Sequence, residues 1–128
     1  MAEMSDYLEN KILDYVLRDT ADWAPSTVYL ALHTGDPTDV TSAGLANEVD
    51  VTRQAIEFDA AHATTGVTQN TNIETFTSMP AVTVTHIGIW DHVSAGNLLF
   101  HTAVTSSKAV ASGDTSTVAA GAITITLA

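Results

Sequence analysis

The chain has 128 residues, which is the length of a single domain. Fifteen Asp and Glu against four Lys and Arg give a formal net charge of −11, so the field of the protein repels phosphate backbones and anionic lipid surfaces. Composition therefore argues against nucleic-acid binding and membrane binding. Because the chain has no cysteine, neither a disulfide framework nor a Cys-ligated metal can hold the fold.

One amphipathic helix is predicted at the start of the chain, from Asp6 to Arg18, with Ser5 as its N-cap. Its apolar residues spread over about 200° of a helical wheel, which is wider than one contact with a sheet requires. Two interpretations follow: the helix is sunk in its own core, or it contacts both its own β domain and a neighbouring subunit. The second makes this apolar arc an interface, formed by Leu8, Ile12, Leu13, Tyr15, Val16 and Leu17.

The remainder of the chain has the alternating pattern of short strands between turns. We expect residues 36–51 to form a long surface loop. Seven or eight antiparallel strands at this spacing predict a mainly β fold, a β-sandwich or jelly roll preceded by one helix. Residues 1–22 would be the helix and linker and residues 23–128 the β-sandwich, together one structural domain. The predicted strands lie at or near Thr27–His33, Arg53–Phe58, Val82–Trp90, Leu98–Val104, Lys108–Ala111, Thr115–Ala119 and Ile123–Leu127.

Two groups of side chains are candidates for binding a cation. Val82–Trp90 and Leu98–Val104 are predicted to form a hairpin. Imidazole ligands across it, with a carboxylate, would come from His86, His92, His101 and Asp91. Oxygen ligands for calcium would come from Asp36, Asp39, Glu48 and Asp50. Neither group has the spacing of a recognised site. We therefore interpret both as solvated side chains and expect no metal, no cofactor, no catalytic residue and no enzyme activity.

Aromatic side chains can stack on sugars when they are exposed. Trp90 is the main candidate for a glycan contact, because it stands directly before a predicted loop. The alternative is that Trp90 closes the end of the hydrophobic core. Trp23, between the helix and the first predicted strand, is expected to lock the helix onto the sheet.

Several stretches, in this order, resemble a family of small virion structural proteins of tailed bacteriophages, described as capsid-decoration, head-fibre or tail-fibre proteins. One departure occurs at Glu48–Thr52, where similar chains tend to have a glycine-rich turn. The resembling stretches are Tyr7–Thr20 (YLENKILDYVLRDT), Ala24–Asp39 (APSTVYLALHTGDPTD), Arg53–Phe58 (RQAIEF), Val84–Thr105 (VTHIGIWDHVSAGNLLFHTAVT) and Ser107–Leu127 (SKAVASGDTSTVAAGAITITL).

This resemblance implies a non-enzymatic virion structural protein. The first hypothesis is a capsid decoration or cement protein, a homo-oligomer and expected trimer, that binds and stabilises the shell through the major capsid protein or other virion proteins. The alternative is a tail or fibre accessory module that contacts a host-surface glycan or receptor. Either protein would be located in the virion. The acidic N-terminus lacks signal-peptide features, so synthesis and assembly in the host cytoplasm are expected.

Overall fold

The computed structural model describes residues 2–19 and 24–127. Trp23 and the predicted boundary between residues 22 and 23 lie outside these residues. The described chain is mainly β, which confirms the predicted fold class: antiparallel strands form a sandwich-like arrangement after an N-terminal helix. The elements are β1 Glu3–Met4, α1 Asp6–Arg18, β2 Val28–His33, α2 Thr41–Asn47, β3 Gln54–Ile56, β4 Val67–Gln69, β5 Glu74–Phe76, β6 Val82–Trp90, β7 Leu98–Val110, β8 Ser116–Val118 and β9 Thr124–Thr126.

The central sheet has five strands in the order β1-β7-β6-β2-β3. The predicted hairpin lies at the middle of this sheet, and its strand β6 pairs with β7 along nearly the whole length of β6. The two strands predicted at Leu98–Val104 and Lys108–Ala111 are one continuous strand, β7. They form one strand because no Gly, Pro, Asn or Asp separates them. Pairing with β6 continues on both sides of an irregularity in β7, where residues 104–107 lie between the pairs Val84–Lys108 and His86–Ala103.

One face of the central sheet packs against two small sheets. Side chains alternate along β2 and β6, so that Leu30 and Leu32 lie beside Ile89 and Ile87 on this face. The opposing layer consists of the β4–β9 pair and the β5–β8 pair, which contribute Ile125 and other buried residues. The main hydrophobic core lies between these layers.

The opposite face of the sheet carries a smaller core, formed by Ala31, Trp90 and Leu98. The helix α2 covers it, although residues 36–51 were expected to be a loop. No apolar period marks α2 in the sequence, and its N-cap Val40 makes no capping hydrogen bond. A tertiary contact accounts for this helix, because its buried Gly44 lies directly against the indole of Trp90.

Helix α1 has the predicted limits and the predicted cap. The Ser5 hydroxyl accepts a hydrogen bond from the Leu8 backbone N–H at 3.3 Å and donates to the carbonyl of Leu98 in β7. The short strand β1, which the sequence did not predict, pairs with β7 just before the cap. The start of α1 is therefore fixed to the central sheet by β1 and by Ser5 itself. In the described part of the chain, no helix is long and apolar enough to cross a membrane.

Candidate functional site on the first helix

The apolar arc of α1 divides into an inner and an outer part. Leu8 is buried against the domain and Ile12 is half-buried. In contrast, Leu13, Val16 and Leu17 are 55%, 68% and 75% exposed. Residues three and four positions apart are neighbours on a helix surface, so these three side chains form one continuous patch, called here the outer stripe. Tyr15 is also exposed but stands on the inner side of the wheel.

These positions contradict one of the two interpretations of the wide arc. The interpretation that the helix is sunk in its own core is wrong, because four of its six apolar residues are exposed. The prediction that Leu8 belongs to the interface is also wrong, because this side chain is buried in its own domain and has no surface to offer a partner. The interface role of the remaining arc residues stays a prediction.

The border of the outer stripe is polar and well defined. Asp14 and Arg18, next to Leu17 on the wheel, form an ion pair, with Arg18 Nη1 3.0 Å from Asp14 Oδ1. The helix ends at Asp19, which adopts a left-handed conformation with φ of 52° and donates its backbone N–H to Asp14 O. An exposed pair of this kind contributes little stability. An apolar patch with a charged rim is, however, the ordinary anatomy of a protein interface.

Trp90 is not a glycan platform in this fold. Its side chain has 0% exposure, so a sugar cannot reach either face of the ring. One face is covered by Arg53, whose guanidinium carbon lies 4.0 Å from the ring centroid, and His33 is stacked nearly parallel with centroids 6.0 Å apart. The alternative interpretation, in which Trp90 closes part of the core, describes what the structure has.

Arg53 is the residue that joins the loops at this end of the sheet. Its Nε and Nη2 donate to the two carboxylate oxygens of Glu48 at 2.7 and 2.6 Å. Its Nη1 donates to the backbone carbonyls of His92 and Ala95, both at 2.8 Å. Because the guanidinium is buried, this fork of hydrogen bonds replaces the water that it loses on folding.

His33 completes the cluster as a buried neutral imidazole. Its Nδ1 lies 2.8 Å from Asn47 Oδ1, and its Nε2 accepts a longer hydrogen bond from Trp90 Nε1 at 3.4 Å. Burial lowers the pKa of His33, and the influence of Arg53 and His86 acts in the same direction. The hydrogen bond with Asn47 and the charge of Glu48 oppose this shift without cancelling it.

The two predicted cation groups are rearranged in the structure. His92 faces Asp91 at 2.8 Å, and His86 hydrogen-bonds to Thr85, so the three hairpin imidazoles do not share one site. His101 instead meets the acidic loop, with its Nε2 2.9 Å from Asp39 Oδ1. Asp36 also stays near His101, whereas Glu48 is paired with Arg53 and Asp50 is exposed elsewhere.

Two residues of interest were missed by sequence reasoning. Arg53 was predicted to lie in a strand and was given no role. A usable signal was its position directly before residues 54–128, where Lys108 is the only other Lys or Arg. Glu3 lies opposite His101 in the β1–β7 pair. No sequence signal could identify Glu3, because a two-residue strand has no recognisable period.

A protein-family model matches nearly the whole chain. The model described as Podophage GP4 fiber I protein gp80 matches residues 3–126. The chain belongs to this family. No curated protein matches the chain.

Membership in the gp80 family confirms the resemblance to virion structural proteins of tailed phages and identifies the chain as a fibre-type virion component. The description names a fibre protein. It therefore agrees with the alternative hypothesis of a tail or fibre module rather than with the first hypothesis of capsid decoration.

Proposed function

We propose that this chain is a non-enzymatic fibre subunit that assembles into the virion through the outer stripe of α1. The observation that carries the proposal is the exposure of Leu13, Val16 and Leu17 on one side of a helix whose other side is anchored to the domain. The family supports the fibre setting, and the stripe supplies a surface for assembly.

The energetic case rests on the cost of leaving this stripe in water. Fully burying a Val or Leu side chain contributes about 1.5–3 kcal/mol. A partner that covers the three residues of the stripe therefore gains several kcal/mol before the cost of association is counted. The fixed start of α1 helps, because a helix held by Ser5 on β7 needs little further ordering when it binds.

The partner that we propose is a neighbouring copy of the chain or another virion protein, in a homo-oligomer with a trimer as the expected state. The net charge of −11 disfavours close approach of copies through their acidic surfaces. An apolar contact limits this repulsion. Asp14, beside Leu17, is already paired with Arg18, and Glu9 lies one helical turn before Leu13.

A role in contacting host glycans is not part of this proposal. The aromatic residue suggested for it, Trp90, is enclosed by Arg53 and His33. Capsid decoration is likewise not included, since the family description that supports the proposal names a fibre. The two virion locations differ in copy number, which makes them separable by experiment.

The test is a phage carrying the triple variant L13S/V16S/L17S, compared with a matched triple variant, L45S/I73S/V93S. The control residues are also exposed and apolar, but lie outside α1. Copies of the chain per virion are measured by quantitative mass spectrometry against the major capsid protein, and the mass of the purified protein by light scattering.

We expect the wild type and the control to be present at a small number of copies, in multiples of three, and the stripe variant to be lost from the virion. Equal incorporation of both triple variants would remove the stripe from assembly. Hundreds of copies of the wild-type chain per virion would overturn the fibre assignment in favour of capsid decoration.

A further inference from the structure

Three elements that are distant in sequence meet beside the start of α1. Glu3 of β1 is the register partner of His101 in β7, and the backbone N–H of Asp6 donates to the carbonyl of Asp39 at 3.0 Å. The loop after β2 is thereby placed over the β1–β7 pair. One ligand atom from each of Glu3, Asp39 and His101 lies within 4.8 Å of the other two.

His101 is held between two carboxylates although its side chain is only 4% exposed. Its Nε2 lies 2.9 Å from Asp39 Oδ1, and its Nδ1 lies 3.6 Å from Asp36 Oδ1. Metal-binding histidines commonly have this arrangement: one ring nitrogen faces the metal, and a carboxylate on the other nitrogen fixes the tautomer and the ring orientation. Asp36 is the carboxylate that faces this other nitrogen, at a separation slightly longer than a direct hydrogen bond.

The negative charge around this imidazole is not balanced by nearby cations of the described chain. Glu3, Glu9 and Asp39 line one open depression that gives solvent access to the site. The basic residues are engaged or remote: Arg18 pairs with Asp14, Arg53 pairs with Glu48, Lys11 lies over the Tyr7 ring, and Lys108 is seven residues along β7 from His101. A cation would relieve the repulsion among these carboxylates.

We propose that Glu3, Asp39 and His101 bind one divalent transition-metal ion of the Zn²⁺ class. An imidazole nitrogen and two carboxylate oxygens are common ligands of zinc, and a water molecule would complete four-coordination. Ligand atoms in such a site are about 3.3 Å apart, given metal–ligand distances of about 2.0–2.1 Å. The three ligand atoms lie within 4.8 Å of one another, and the exposed side chains of Glu3 and Asp39 can rotate to reach these distances.

The same ligand set argues against calcium, which takes six to eight oxygen ligands and disfavours a site centred on an imidazole. A zinc-class ion here would clamp β1 and the Asp39 loop onto β7. Because β1 directly precedes Ser5, the clamp would fix the base of the helix that carries the outer stripe. Metal binding itself is measured on the isolated protein and does not depend on the proposed function.

The experiment is calorimetric titration of EDTA-treated protein with ZnCl₂, together with thermal unfolding with and without the metal. We expect one ion per chain and a rise in the unfolding temperature. E3Q and D39N should each weaken Zn²⁺ binding at least tenfold, and D36N should weaken it less, since Asp36 acts through the imidazole. Glu3, Asp36 and Asp39 are exposed, so these variants are expected to fold.

The matched controls are H62N and D50N, which change an exposed histidine and an exposed carboxylate outside the cluster. Both should bind Zn²⁺ as the wild type does. The proposal is overturned if the wild type shows no Zn²⁺ binding, if E3Q and D39N bind as tightly as the wild type, or if H62N abolishes binding. Equal affinity for CaCl₂ and ZnCl₂ would overturn the assigned class of metal.

Discussion

The guanidinium carbon of Arg53 lies 4.0 Å from the centroid of the Trp90 ring, and this contact joins the segment just before β3 to the end of β6. The same Arg53 holds Glu48 and two carbonyls of the β6–β7 loop, while Trp90 is stacked on His33 at the end of β2. One buried cation and one buried indole therefore set the positions of three strands and their connecting loops. The cluster is a structural centre, and most of its consequences can be measured as stability.

Arg53→Lys should destabilise the protein by about 2–3 kcal/mol, because an ammonium cannot reproduce the forked contact with Glu48 and also reach both carbonyls. Urea unfolding monitored by Trp fluorescence measures the free energy of unfolding. The same substitution at Arg18, whose ion pair is exposed, is the control and should change stability by less than about 0.5 kcal/mol. Equal effects at the two positions would show that Arg53 has no special structural role.

Gly88→Ala should lower the free energy of unfolding by about 1–3 kcal/mol, because the added methyl group overpacks the core. A Cβ atom at this position would lie 2.7 Å from His33 Nε2 and 2.9 Å from Trp90 Nε1, so the cluster would have to move. Gly35→Ala is the matched control, because its new methyl group would meet Asn47 at an ordinary 3.5 Å. Thermal unfolding of both variants checks the prediction, and a loss of stability at Gly35 alone would contradict it.

Stability should fall as the pH is lowered from about 6.5, and His33 should be the cause. Burial lowers the pKa of His33 in the folded state, so below about pH 6.5 the unfolded chain binds a proton that the folded chain does not. The free energy of unfolding then falls by at most about 1.4 kcal/mol per pH unit, until the pH reaches the pKa of His33 in the folded state. Above about pH 6.5 this contribution is flat.

The measurement is the difference in the free energy of unfolding between pH 7.5 and pH 5.5, for the wild type and for His33→Gln. The variant is expected to be less stable at both pH values but to show a smaller difference between them. His62→Gln, which changes an exposed histidine, should keep the wild-type difference. An unchanged difference in His33→Gln would assign the pH dependence to other groups.

Shortening a side chain should reduce stability strongly on the inner side of α1 and hardly at all on the outer stripe. Leu8→Ala should cost about 2–4 kcal/mol, since it removes buried methyl groups next to the helix cap. Leu17→Ala should change the stability of the free subunit by less than about 0.5 kcal/mol, because the side chain is exposed. Denaturant unfolding at low protein concentration compares the two, and a large loss for Leu17→Ala would mean that the stripe already has a partner in the fold.

Local patterns were sufficient for the elements whose side chains signal their own conformation. Ser5 and the apolar period that follows it predicted α1 with its observed limits, because capping and amphipathicity are encoded within a few residues. The run of β-branched residues at Val82–Trp90 likewise predicted β6. The family resemblance, carried by the order of such segments, was confirmed as well.

Other features depended on contacts between distant parts of the chain. The helix α2 forms where Gly44 packs on Trp90, and β1 forms where Glu3 reaches β7, so neither has a local signal. The exposure of Trp90 could not be read from its position before a loop, because Arg53 and His33 cover it from elsewhere in the sequence.

The sequence by itself determined the mainly β class, the first helix and its apolar arc, since hydrophobic period and capping are properties of neighbouring residues. The tertiary structure alone decided which part of that arc stays in water. It also decided that His101 meets Asp39 instead of His86 and His92, because strand register and loop placement bring together side chains that the linear chain keeps far apart.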